Sequence, residues 1–270
     1  MRRTTAAGDP AKLEDLPSPA LIVDLDAFES NLAAAADLVR GSDTQLRPHI
    51  KTHRTPGLAI RQLDSHTRGV TCATVGEAEA MVEAGIDDVF LANEIMSPDK
   101  ADRLARLAHY AQVAIAVDSQ PGVDVIAAAA ARARTTVEVL IDVDIGLARC
   151  GVHGPAQAVA LGRSVADTPH LRLRGIMGYE GRLRAANPER DQRITLAAAG
   201  LAAVRQAFAS AGLPCRVVSS AGTSTFLQAV ADPVITEIQA GTYAFMETDL
   251  QGLGLPFVPA LTVSAMVISR

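Results

Sequence analysis

The sequence predicts an α/β fold, a (β/α)8 barrel of the TIM type, and three observations carry that reading. Short apolar runs alternate with Ala-rich amphipathic stretches along nearly the whole chain. From Gln45 onward there are eight such runs, each but the last followed by a helical pattern. Neither a GxGxxG after the first strand nor a GxxxxGK[ST] occurs anywhere. Strands alternating with helices imply a parallel sheet covered on its outer face. Eight such units suggest closure. An open doubly wound sheet is the alternative, and the missing nucleotide fingerprints remove its usual support.

Taken in order, residues 1–17 read as a polar, flexible lead-in. ALIVDL (20–25) is a short apolar run, and DAFESNLAAAADLVRG after it has helical spacing, with Asp26 placed to cap the start and Gly41 to end it. The eight barrel strands are then expected at 45–50, 69–74, 88–93, 112–118, 137–144, 171–179, 215–222 and 234–241. Helical patterns such as GEAEAMVEAG, SPDKADRLARLAH and QRITLAAAGLAAVRQAFASAG lie between them. After the eighth strand, ALTVSAMVIS is another strand-like run that belongs to no repeat. The expected organisation is therefore a barrel over 18–250, with strand 20–25 and residues 251–270 forming remnants of a truncated C-terminal β-domain. An exposed apolar edge there would favour association, and a homodimer is expected.

Composition narrows the function. With 49% hydrophobic and only 3% aromatic residues in 270, the core must be built from Ala, Val, Leu and Ile. A formal net charge of −5 without single-sign blocks gives no general attraction to nucleic acid or anionic membranes. No uncharged apolar run approaches the roughly 18 residues that a membrane helix needs. Cys72, Cys150 and Cys215 stand far apart, with neither a CxxC pair nor metal spacing. So sparse and odd a set fits a reducing compartment. The N-terminus has no apolar signal region, so a cytoplasmic location is expected.

Barrel chemistry gathers at the C-terminal strand ends. Those ends supply Arg47, His49, Lys51 and His53, then Asn93, Glu94, Asp118, Asp142, Asp144 and Arg149, and later Tyr179, Ser219–Thr223 and Gln239–Tyr243. Lys51 is one of only three lysines, the others being Lys12 and Lys100. On a strand, Arg47, His49 and Lys51 share a face. A lysine inside a barrel beside other cations is desolvated and repelled, which lowers its pKa and favours the neutral amine needed for a Schiff base. A strand-end lysine can also snorkel to solvent. SSAGT (219–223) closes the seventh strand and opens the helical stretch TSTFLQAV, where backbone N–H groups suit a phosphate. Gly241 and Thr242 end the eighth strand, its neighbour in a closed barrel, and barrels often hold phosphate there.

RPHIKTHRTP closely resembles the lysine motif of the D-threonine aldolase and D-serine dehydratase family, within the alanine-racemase-like fold of pyridoxal-phosphate enzymes. EAEAM, Ala92-Asn-Glu-Ile, DVDIGLARCGV, GYEG, SSAGT and TEIQAGTYAFM follow in the family's order. The resemblance implies pyridoxal 5'-phosphate held on Lys51, with Arg149 near the ring hydroxyl and Tyr179 lining the ring. It places Gln239 where alanine racemases set an arginine against the pyridine nitrogen, and Ser220, Gly222, Thr223, Gly241 and Thr242 around the phosphate. It also implies a lyase acting on D-β-hydroxy-α-amino acids, most simply a retro-aldol cleavage to glycine and an aldehyde. Lys51 is then a candidate base, and His53 or His49 a candidate for the substrate hydroxyl proton. Dehydratase, racemase and non-catalytic cofactor-homeostasis readings remain as alternatives. Two departures stand out. Ala73 lies where the family usually has a glutamine nearby, and neither the His-x-Cys nor the His-x-Asp pair that holds the family's divalent metal (Mn, Mg or Zn) occurs in this sequence.

Overall fold

The structure, a computed structural model, describes residues 16–63 and 67–270. Most of the expected lead-in, Lys12 included, lies outside the described residues.

All eight expected barrel strands are present and parallel. They are β2 (Gln45–Leu46), β3 (Val70–Cys72), β4 (Asp88–Leu91), β5 (Gln112–Val117), β6 (Val137–Asp142), β7 (Leu171–Met177), β8 (Val217–Ser220) and β9 (Glu237–Ile238). Their hydrogen-bonded order is β2-β9-β8-β7-β6-β5-β4-β3. The two ends meet through parallel bridges, Leu46 with Thr67 and His49 with Thr71. There Arg68 N donates to Leu46 O at 2.8 Å, and Thr71 N to Pro48 O at 2.8 Å. Helices α2 (Pro56–Gln62), α3 (Val75–Glu83), α4 (Pro98–Leu107), α5 (Gln120–Ala133), α6 (Gly154–Asp167), α7 (Arg190–Ser210) and α8 (Phe226–Ala231) follow the first seven barrel strands in turn. Among the described residues no helix is long and apolar enough to cross a membrane.

Three details differ from the sequence expectation. The first barrel strand stops at Leu46 and not at residue 50, because Pro48 has no N–H to donate to a ladder; Lys51 instead sits in a 3-10 turn, Ile50–Thr52. The first helix, α1 (Leu25–Val39), is capped by Asp24, whose Oδ1 accepts from Ala27 N at 3.0 Å; Asp26 lies inside its first turn. The last barrel strand is confined to Glu237–Ile238, since the chain bends into turns on both sides of it.

Side chains alternate across the strands. Val89 and Leu91 face outward into a large core with Ile115, Val139, Met81, Leu104 and Phe208. Phe90, Ala114, Leu140, Met177 and Val217 fill the barrel's interior. Most of the aromatic residues are elsewhere: Phe28, Phe226, Tyr243, Phe245 and Phe257 pack α1 and α8 against the segment after β9. Below the interior apolar layer the barrel is ionic. Arg47 donates to Glu237 and Asp88, and Glu138 accepts from Arg172 and Arg174.

The two strands outside the repeats pair with each other. β1 (Ala20–Val23) and β10 (Leu261–Ser264) form an antiparallel ribbon, from Ala20 opposite Ser264 to Val23 opposite Leu261. Leu21, Val263 and the apolar residues Met266, Val267 and Ile268 are exposed.

Candidate active site

The C-terminal ends of β2 to β9 surround a cavity of about 320 Å³. That volume is at the lower end for small-molecule sites, about 300–1,000 Å³. Lys51 reaches it from the 3-10 turn, and much of its side chain is open to this space and not packed. Its Nζ is 5.9 Å from the centre of the Tyr179 ring. Burial, and then the Arg149 guanidinium, lower the pKa of the amine, with Glu77 opposing them. The neutral nucleophile is favoured.

His49 also lines the cavity, and is buried. Burial first, then the charges of Lys51 and Arg149, push its imidazole down to about 3, against a hydrogen bond to the Thr71 backbone. The ring is therefore neutral, and its Nδ1 is buried without a protein partner. His53 does not reach the cavity. Its Nδ1 accepts from Thr55 N at 3.0 Å, so Nε2 carries the hydrogen and donates to Gln62 Oε1 at 2.8 Å. The ring rests against Phe245, with 5.8 Å between centroids. Two residues beyond Lys51 the chain has already turned away through the 3-10 turn Ile50–Thr52, and Arg54, left-handed (φ 53°), then leads into α2.

Arg149 lies on the loop between β6 and α6, wound tightly through Gly146, Ala148 and Gly151 at positive φ. Three acidic strand ends hold this loop. Asp144 Oδ1 accepts from Gly146 N at 2.9 Å and Ala148 N at 3.0 Å, and Asp118 Oδ2 from Gly151 N at 3.2 Å. Asp142 Oδ2 accepts from Cys150 Sγ at 3.3 Å. The result sets the Arg149 guanidinium carbon 6.0 Å from the Tyr179 ring centre. The acidic residues thus orient the arginine. Burial first, and then the neighbouring Glu94 carboxylate, raise Asp142 well above the ordinary carboxylate range. Glu94, Asp142 and Cys150 have ligand atoms within 4.8 Å of one another. Within this cluster Cys150 is bonded to Asp142, while Glu94 Oε1 is buried without a partner among the described residues.

Opposite Lys51, Ser220, Gly222 and Thr223 form one wall, joined by Gly241 and Thr242. Ala221 is left-handed (φ 66°), its N–H serves the Glu180 carboxylate, and Gly222 N donates to Thr225 Oγ1 at 3.3 Å in the 3-10 turn that starts just beyond. Hydroxyls brace it: Ser220 Oγ donates to Gly178 O at 2.8 Å, and Thr223 Oγ1 accepts from Tyr243 N at 2.9 Å. A Cβ on Gly241 would lie 2.4 Å from His49 O and 2.8 Å from Thr52 Oγ1, so only glycine lets the end of β9 pack on the Lys51 turn. A Cβ on Gly222 would lie 3.3 Å from Tyr179 Cε2.

Gln239 completes the lining. Its Nε2 donates to Ser219 Oγ at 3.0 Å, and Ser219 Oγ donates to Glu237 Oε1 at 2.6 Å. Glu237 Oε2 accepts from Arg47 Nε at 2.8 Å, and Arg47 Nη1 donates to Asp88 Oδ1 at 2.7 Å. Burial alone would lower the Arg47 pKa; Glu237 and Asp88 more than offset it and keep the guanidinium charged. Sequence reasoning overlooked this chain. Its signal was present, since Glu237 and Gln239 stand two apart on one strand, as do Arg47 and His49.

The alanine racemase, N-terminal domain family matches residues 23–249. A D-threonine aldolase of an Arthrobacter species is 35% identical over 269 residues, covering 97% of this chain and 70% of that protein. The crystal structure of D-threonine aldolase from Filomicrobium marinum superposes with a TM-score of 0.91 at 38% identity, over 96% of this chain and 72% of that one. A variant of D-threo-3-hydroxyaspartate dehydratase, an enzyme of a Delftia strain, was solved in a metal-free form. It superposes with a TM-score of 0.84 at 29% identity, covering 94% of this chain and 68% of that one.

Proposed function

The chain belongs to the alanine racemase N-terminal domain family, and from that premise we propose that it is a pyridoxal-phosphate-dependent lyase of D-β-hydroxy-α-amino acids, D-threonine aldolase-like in its reaction. The observation that carries the reading is the Lys51 amine, lowered in pKa and open to a cavity that is also lined by the glycine- and hydroxyl-bearing turns Ser220–Thr223 and Gly241–Thr242. The residues fit the cofactor. Lys51 would hold it covalently, the Ser220–Thr223 turn with Gly241 and Thr242 would take its phosphate, and Arg149 and Tyr179 would flank its ring. When bound, the conjugated pyridine serves as the electron sink for breaking a bond at Cα.

The chain's own groups account for proton handling. Lys51, once displaced by the substrate amine, is a base inside the cavity. His49 offers a bare, neutral Nδ1 whose low pKa suits it to accepting a hydrogen bond from the substrate hydroxyl. In retro-aldol cleavage the substrate hydroxyl would give its proton to a base in the cavity, the Cα–Cβ bond would break to release the aldehyde, and a proton returned to Cα would give glycine. In dehydration Cα loses its proton to Lys51 and hydroxide leaves Cβ. The similarity to the dehydratase over 94% of the chain supports this second outcome. Neither a His-x-Cys nor a His-x-Asp pair is present in this sequence, and no step here is routed through a metal ion. The exposed apolar residues of the β1–β10 ribbon support self-association as a homodimer.

The test is to incubate the cofactor-loaded protein with D-threonine and with D-serine, with and without added manganese. Glycine from D-threonine supports the aldolase reading, and pyruvate from D-serine the dehydratase reading. No turnover of either would refute a lyase acting on these substrates.

A further inference from the structure

The hydrogen-bond chain beneath the cavity has a fixed direction. Glu237 is a carboxylate paired with the Arg47 guanidinium, so it only accepts, and the Ser219 hydroxyl must spend its one hydrogen on Glu237 Oε1. Ser219 Oγ can therefore only accept from Gln239. The group of Gln239 that meets it at 3.0 Å must be the NH₂ and not the carbonyl. The carboxamide, ambiguous by itself, is set by an arginine two strand positions away from the cavity. Its Oε1 is left without a protein donor among the described residues, on the wall of a cavity that Gln239 lines while nine-tenths buried.

We propose that Arg47, Glu237 and Ser219 are positioning residues that hold the Gln239 oxygen toward the cavity, so that the ring nitrogen of the bound cofactor carries a proton. The inference rests on the pyridoxal-phosphate reading and adds a protonation state to it. A ring N–H donates to Gln239 Oε1, and the protonated ring withdraws electrons more strongly than the neutral one. No bond is made or broken; one proton is retained from solvent.

The test uses holoprotein loaded with pyridoxal phosphate labelled with ¹⁵N in the ring, its nitrogen resonance followed by NMR between pH 6 and 8. Borohydride fixation on Lys51 is measured on the same samples. The wild type should show a protonated ring nitrogen throughout. Ser219→Ala, a small change at a buried site, and Gln239→Leu should each lower the nitrogen's pKa, so that its signal moves toward the unprotonated position within that range. In Ser219→Ala, Lys51 fixation should stay at the wild-type level. An unprotonated nitrogen in the wild type, as when the second Nε2 hydrogen donates to the ring, overturns the proposal. So does a Ser219→Ala titration indistinguishable from wild type. Absence of Lys51 fixation in the wild type would instead refute the cofactor reading on which the proposal stands.

Discussion

Lys51 Nζ stands 5.9 Å from the centre of the Tyr179 ring, and the Arg149 guanidinium carbon stands 6.0 Å from the same point. Both groups thus lie near one aromatic ring, and the Arg149 charge makes that of Lys51 more costly. Arg149 cannot give up its proton, so Lys51 yields. That asymmetry lowers the pKa of the Lys51 amine beside a permanent guanidinium charge.

Tyr179 also meets the Ser220–Thr223 wall, because a Cβ on Gly222 would come within 3.3 Å of its Cε2. Gly222→Val is expected to press on this ring and close the backbone approach. It should weaken pyridoxal-phosphate binding at least about tenfold, or about 1.4 kcal/mol. Pyridoxal, lacking the phosphate, should lose much less. Fluorescence titration with the two compounds measures the difference; equal losses would mean that Gly222 serves folding alone.

The two histidines of RPHIKTH should separate by substitution. His53→Ala removes a hydrogen bond to Gln62 and contact with Phe245, at a cost of about 1 kcal/mol to stability. The absorption spectrum of the holoprotein should not change. His49→Ala removes a group from the cavity wall and should alter that spectrum and reduce turnover. Denaturant melts and visible spectra of the two variants distinguish these roles.

Much of this was legible in advance, and the misses have physical reasons. Alternation of apolar runs with amphipathic stretches located every barrel strand, and RPHIKTH, SSAGT and AGTY located three walls of the cavity. His49 and His53 could not be told apart in the sequence, because their positions relative to Lys51 depend on the 3-10 turn Ile50–Thr52, which follows no strand spacing. Pro48 announced that the first strand would be broken, and the signal was passed over. The ionic floor was overlooked because charged residues within apolar strands, such as Glu138 in VEVLID and Arg174 in LRLRGIM, read as solvent-facing until the barrel closes around them.

Asp142 should carry a pH signature. Its folded pKa is raised, by burial first and then by Glu94, so the folded protein binds a proton that the unfolded chain releases above its ordinary value near 4. Stability from this group is therefore lost as pH rises from about 4 toward neutrality. Asp142→Asn removes the liability. The variant should gain stability relative to wild type as urea melts move from pH 5 to pH 8. A difference independent of pH would show that the pair holds no extra proton.

The β1–β10 ribbon predicts association. Leu21 and Val263 are 71% and 63% exposed on paired strands whose outer edges are free. Light scattering should give a mass above that of the 28.2 kDa chain. Leu21→Lys with Val263→Lys should restore the monomer while leaving cofactor binding intact.

The central claim is that Lys51 is the cofactor's anchor, and one measurement addresses it directly. Protein incubated with pyridoxal phosphate is reduced with borohydride and digested, and the labelled peptide is identified by mass spectrometry. The label should be found on Lys51, in the peptide containing RPHIKTH, and Lys51→Ala should lose both the label and the visible absorption band. Label recovered on Lys12 or Lys100, with Lys51 unmodified, would contradict the account.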